Sequence, residues 1–134
     1  PKILIHVRRG DYAYTNGYNV LGSEYYTAGY LKLLQEMRLS VDTPVYLVSD
    51  DLDYALNLLK DFVPSLIPLV LCDPLDVLAE LASADARIIA NSTLSLWGAL
   101  AGRPSSLTIY PSSWNDYYPA LGSRLLASEY CHEI

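Results

Sequence analysis
The run His6-Val7-Arg8-Arg9-Gly10-Asp11-Tyr12 gathers an imidazole, two guanidiniums and a carboxylate behind a short apolar segment. Side chains alternate along an extended strand, so His6 and Arg8 leave it on one side and Arg9 on the other. A guanidinium is a planar fork of donors that matches two phosphate oxygens, and it keeps its charge at physiological pH. Gly10 lets the backbone turn close to a ligand. This pattern predicts capture of one small phosphate-bearing anion. A plainer role for the same residues is neutralisation of nearby Asp side chains by Arg8 and Arg9, with His6 a satisfied, half-buried group. Arg9-Gly10-Asp11 also spells a cell-adhesion tripeptide, but its place at a strand end argues against that use.

A second polar run, Asn91-Ser92-Thr93-Leu94-Ser95-Leu96-Trp97-Gly98-Ala99, reads as a strand-to-helix turn. The unpaired N–H groups of a first helical turn, with Ser and Thr hydroxyls beside them, form a phosphate site. Plain helix capping uses the same residues. The triplet Asn91-Ser92-Thr93 is a glycosylation sequon by pattern, but a turn at the inner edge of a sheet is a poor acceptor. Asp76, in the first turn of another helix, is either a solvated acid or a carboxylate reading the paired N–H donors of guanine. Ser49-Asp50-Asp51 ends a strand with two acids, which cap a helix or contact a ribose or base. Asp51 and Asp53 have the spacing of a metal-binding pair, but on a helix their carboxylates diverge, so no metal is expected. Cys72 and Cys131 form no CxxC motif. Cys72 ends an apolar run and is expected as a buried thiol.

The whole chain constrains these groups. Its 134 residues are 51% hydrophobic and 18% charged, enough apolar content for one domain with a real core. No apolar run approaches the roughly 20 residues that span a bilayer. Nine Lys+Arg against fifteen Asp+Glu give a net charge of -6, which argues against a general nucleic-acid or anionic-membrane surface. Between Pro44 and Asp85 eight acids face one base, Lys60, so Arg8 and Arg9 stand out as a local cationic pair. Tyrosine supplies 12 of the aromatic residues. Tyr12, Tyr14, Tyr18, Tyr25 and Tyr26 crowd the region after the arginines. Pro1 stands where an initiator Met would, and Lys2 already opens a strand, so the chain reads as a piece of a longer one.

Short β-rich runs alternate with helical patterns. Strands are predicted at Lys2–Val7, Val45–Val48, Leu66–Cys72 (weakened by Pro68), Arg87–Ala90 and Leu107–Tyr110. The first helix starts at Ser23 with an apolar face of Tyr26, Tyr30, Leu33, Leu34 and Met37, before Pro44. The second runs from Asp51 to about Phe62. The third has Asp73 as N-cap and Pro74 at its first position, and continues to about Ala84. A fourth lies between Asn91 and Gly102. Trp114 to Ile134 reads as a polar aromatic loop and a weak terminal helix. Helical crossovers imply parallel pairing, so the expected fold is α/β, a Rossmann-like doubly wound sheet of about five strands. Such sheets bind ligands at the carboxyl ends of their strands, where the polar clusters above all fall. Neither GxGxxG nor GxxxxGK[ST] occurs, which disfavours a standard dinucleotide or Walker site.

Three of these runs carry a family resemblance in order. His6-Val7-Arg8-Arg9-Gly10-Asp11-Tyr12 resembles the first motif of the α-1,2-fucosyltransferases, glycosyltransferase family 11. Val48-Ser49-Asp50-Asp51 is similar to the second. Asn91-Ser92-Thr93-Leu94-Ser95-Leu96-Trp97-Gly98-Ala99 resembles the third, which usually reads NSTFSWWGA, with Leu94 and Leu96 replacing Phe and Trp. Leu21-Gly22-Ser23-Glu24-Tyr25-Tyr26 is similar to the family's Gly-x-acid-Tyr-Tyr helix start.

The resemblance implies one half of a GT-B enzyme. Residues 1–134 would be the single donor domain that binds GDP-β-L-fucose, and an N-terminal half absent from this chain would hold a galactose-terminated glycan. Carried over, His6 and Asp76 meet guanine. Arg8 and the third-motif residues Asn91, Ser92, Thr93 and Ser95 meet the diphosphate, with Arg9 beside them. Transfer would be inverting, with Arg8 stabilising the departing diphosphate and Asp11 the nearest candidate base. No metal or other cofactor is expected, since a guanidinium and helix N–H groups supply the positive field, and the acidic net charge argues against a nucleic-acid partner. The parent enzyme would be cytoplasmic or peripheral on a membrane if bacterial, and Golgi-bound if eukaryotic. Other readings of the same site are a non-catalytic GDP or nucleotide-sugar binding module, and a transferase using another purine diphosphate sugar.

Overall fold
A computed structural model describes residues 1–134. Six parallel strands form one sheet: β1 Ile3–Val7, β2 Val45–Ser49, β3 Leu66–Pro68, β4 Ala86–Ile88, β5 Leu107–Tyr110 and β6 Cys131–Glu133. Their spatial order is β3-β2-β1-β4-β5-β6, that of a doubly wound Rossmann-like sheet. The helices are α1 Ser23–Met37, α2 Leu52–Leu59, α3 Pro74–Ser83, α4 Thr93–Ala101 and α5 Leu121–Leu125. None is long and apolar enough to cross a membrane.

Strand alternation divides the core into two layers. Ile3, Ile5 and Val7 of β1 face α1 and α2 with Val45, Leu47, Ala86, Ile88, Leu107 and Ile109. Leu4 faces the other way, with Val48, Ile89 and Tyr110, and packs under α3, α4 and Trp114. Helix α1 buries Tyr26, Gly29, Tyr30, Leu33 and Leu34, the three- and four-residue spacing of one face. Gly29 is small for a reason: a Cβ there would stand 3.2 Å from both Ile88 and Ile109, so the helix can lie close on β4 and β5. Caps start three of the helices. Asp51 accepts from the Tyr54 amide, Asp73 from Leu75 and Ser92 from Ser95. On the far layer α4 crosses α3 at Gly98, where a Cβ would come within 2.4 Å of Leu81.

Three expectations change. The third strand stops at Pro68 rather than at Cys72, because proline ends the run of ladder donors, although the Leu69 amide still reaches Leu47 O at 2.8 Å. Cys72 therefore lies in an irregular segment beyond the sheet and is exposed, not buried. The sheet has six strands instead of five. Cys131–Glu133 pairs with β5, Cys131 against Thr108 and Glu133 against Tyr110. Nothing in Cys-His-Glu alternates, so only pairing with β5 makes it a strand.

Candidate functional site
The strand order reverses beside β1. β2 and β3 lie on one side of it, and β4, β5 and β6 on the other. At the carboxyl edge this leaves a crevice between the loops that follow neighbouring strands, where open α/β sheets bind ligands. A cavity of about 360 Å³ occupies it. His6, Arg8 and Tyr12 enter from β1 and its loop, and Ser49 and Asp50 from β2. Cys72, Pro74 and Val77 come from the segment after β3, and Ser92, Thr93 and Leu94 from the turn after β4.

His6 is 4% exposed and lies on the α3–α4 face with Leu4. Its Nδ1 is hydrogen-bonded to Ser95 Oγ, and its carbonyl accepts from the Tyr26 hydroxyl at 3.0 Å. Burial holds its pKa down at about 4, against the opposing pull of Asp50, so the ring is neutral at pH 7.

Arg8 and Arg9 part as alternation requires. The Arg8 guanidinium stays on the cavity side, 4.9 Å from the centre of the Tyr12 ring. Its Nη1 bonds Asp50 Oδ2 at 2.5 Å and its Nη2 bonds Asp11. Arg9 crosses to the other face, bonds Asp51 at 2.7 Å and stacks 4.6 Å from the Tyr54 ring. Bonds from the Tyr54 amide and from Arg9 hold the Asp51 carboxyl below its usual range. Gly10, at φ +23, is the residue this packing needs. A Cβ there would sit 2.3 Å from Asp50 Oδ2, and an L side chain would be strained at that φ. The plainer role considered for the arginines, pairing with nearby acids, is therefore realised at both.

The α4 end faces the same cavity. Ser92 Oγ accepts the Ser95 amide and Ser92 O takes Leu96, leaving the Thr93 and Leu94 amides without a partner in the protein. Unpaired first-turn amides with a half-helical positive end are an anion-binding surface.

His6, Arg8, Ser92 and Thr93 thus converge with Ser49 and Asp50, whereas Arg9, Asp11, Asp51, Asp76, Asn91 and Ser95 do not line the cavity. Ser95 is fully buried behind His6. Asn91, 1% exposed, sends its amide hydrogens to Asn19 O and Trp114 O, both at 2.9 Å, and so ties the loops after β1 and β5 to the α4 turn. Arg9 is on the opposite face, and Asp11 is an exposed partner of Arg8. Asp76 is exposed, and its helix sends Pro74 and Val77 to the cavity instead. Sequence reasoning did not single out Cys72 or Val77 as site residues, since their placement depends on where β3 stops. It also passed over the anchoring tyrosines of α1: the Tyr25 hydroxyl bonds Ile89 O at 2.7 Å and Tyr26 bonds His6 O, so both fix strand ends at the site. No three His, Cys, Asp or Glu side chains cluster in a way that would hold a metal ion. In comparisons with known proteins, the chain matches no family model and no curated sequence.

Proposed function
We propose that this domain binds GDP-β-L-fucose for an inverting fucosyltransferase that forms an α-1,2 link to a galactose hydroxyl, with the acceptor held by a further half of the same enzyme. The observation that carries this reading is the convergence of His6, Arg8 and the α4 N-terminus on one cavity at the switch point of the sheet. In the proposed mechanism negative charge grows on the β-phosphate as GDP leaves. The Arg8 fork and the Thr93 and Leu94 amides oppose that charge, each such donor contributing about 3–4 kcal/mol to transition-state stabilisation.

The ion pairs on Arg8 set an order of events. Asp50 also accepts the Arg9 amide through Oδ1 at 2.9 Å, so it is held twice. Asp11, with 69% of its side chain exposed, is held only by Arg8 and yields first to an incoming phosphate. Once released, Asp11 is the carboxylate beside the site that no longer has a partner, and the one available to take the acceptor's proton. The deciding experiment is calorimetric titration with GDP, UDP and ADP. GDP binding without UDP binding supports the donor-site reading, and no binding of any of the three overturns it. GDP binding by the whole enzyme with no fucose transfer would leave a nucleotide-binding module.

A further inference from the structure
Ser95 was expected to touch the phosphates, yet it is fully buried and does not line the cavity. Its hydroxyl has two neighbours only. The Ala90 amide donates to Oγ at 3.2 Å, and His6 Nδ1 lies against the same oxygen. A hydroxyl carries one proton and must place it on an acceptor when it is shut away from water. The Ala90 amide is a donor and cannot take it. Nδ1 is the remaining partner, and it can accept only when it carries no proton itself. Were Nδ1–H to donate instead, Oγ would accept twice and its own proton would be left buried without a partner.

From this hydrogen-bond geometry we infer that Ser95 is a positioning residue that locks His6 in the tautomer with its proton on Nε2, so that the cavity is offered a neutral N–H donor. Nε2 has no hydrogen-bond partner in the protein and is not among the buried atoms left unsatisfied, so it is the ring nitrogen open to the cavity that His6 lines. The ring stays neutral because burial lowers its pKa, with Asp50 opposing and Arg8 assisting as the charged neighbours. The ligand must therefore present an acceptor to His6, a carbonyl or phosphoryl oxygen or a bare ring nitrogen. A ligand placing an amino group there is disfavoured, because two donors would meet. Only the identity of the ligand rests on the donor-site reading; the tautomer does not.

The test is a long-range ¹⁵N–¹H spectrum of histidine-labelled protein. His6 and His132 are the only histidines, and His132→Gln assigns the signals. The expected His6 pattern at pH 7 is a protonated Nε2 and a bare Nδ1. A protonated Nδ1, or a charged ring at that pH, overturns the inference with no ligand present. In Ser95→Ala the expected change is loss of the single-tautomer pattern, and an unchanged pattern would show that Ser95 does not set it. GDP binding should weaken roughly three- to tenfold in that variant, the scale of one neutral hydrogen bond, while unfolding by denaturant checks that it still folds. Wild-type protein with the expected tautomer and no affinity for GDP would remove the donor-site reading and leave this inference standing. GDP binding with the opposite tautomer would do the reverse.

Discussion
Arg8 and Arg87 stand on the same face of the sheet, Arg87 within β4 and Arg8 just past the end of the neighbouring β1, and are built for opposite purposes. Arg87, in the middle of β4, is 1% exposed and meets no carboxylate. Its guanidinium donates to Ala84 O at 2.8 Å and Ala99 O at 3.3 Å at the ends of α3 and α4. It also donates to the hydroxyls of Thr108 at 3.0 Å and Ser106 at 2.7 Å. Burial presses its pKa down, and the carbonyls at two helix ends, where the backbone dipoles point negative, replace a counter-ion. Gly102 makes the room, since a Cβ there would come within 2.6 Å of the guanidinium. Arg8 lies beyond the carboxyl end of β1, with 30% of its side chain exposed, and its partners are two carboxylates of which one is mostly in solvent. Fixed backbone dipoles cannot be exchanged for a ligand, whereas a solvated carboxylate can. The first arginine bolts the layers together, and the second is available for binding.

Substitutions at the two positions should separate those purposes. The largest effect is expected for Arg87→Leu, which takes a buried donor away from two main-chain carbonyls and two hydroxyls. It should cost about 3–5 kcal/mol of stability in chemical denaturation. Arg8→Leu should cost no more than about 1 kcal/mol, because its pairs are partly solvated. Equal losses would erase the distinction.

Next in size is the acid sensitivity of His6, which lies between the two cases, buried but opening on the cavity. Its folded pKa of about 4 lies below the ordinary 6.5. The unfolded chain therefore binds the proton first as the solution is acidified. Stability is full above pH 6.5 and falls between 6.5 and 4, by roughly 3 kcal/mol in all. Denaturant midpoints across that range should show the slope, and His6→Gln should flatten it.

Ligand binding comes third. Arg8→Lys keeps the charge but loses the fork, and should weaken GDP binding by about 1–3 kcal/mol. Arg9→Lys, on the far face against Asp51 and Tyr54, should leave it nearly unchanged. Calorimetry showing the reverse would mean that the face assignment does not govern binding. The smallest effect is expected at Asp76. It is exposed and outside the cavity lining, so Asp76→Asn should alter stability by a few tenths of a kcal/mol through the helix dipole and leave the ratio of GDP to IDP affinity unchanged. A shrunken ratio would place the guanine beside it after all.

Much of this was legible in the residues themselves. The N-caps Asp51, Asp73 and Ser92 announce three helices, because a short polar side chain before an apolar periodic run has few other uses. The apolar spacing from Tyr26 to Leu34 fixes which face of α1 is buried, and alternation alone sends Arg8 and Arg9 apart. These are local features, set by the geometry of one helix or one strand. What the sequence could not determine depends on partners far along the chain. Cys131–Glu133 becomes a strand only because β5 offers it a free edge. Cys72 reaches the cavity because the sheet lets go of the chain at Pro68. Ser95 lies 89 residues from His6, and no periodicity connects them. Only the pairing of β1 with β4 brings that hydroxyl behind the ring, turning a residue that resembles a phosphate ligand into one that acts through its neighbour.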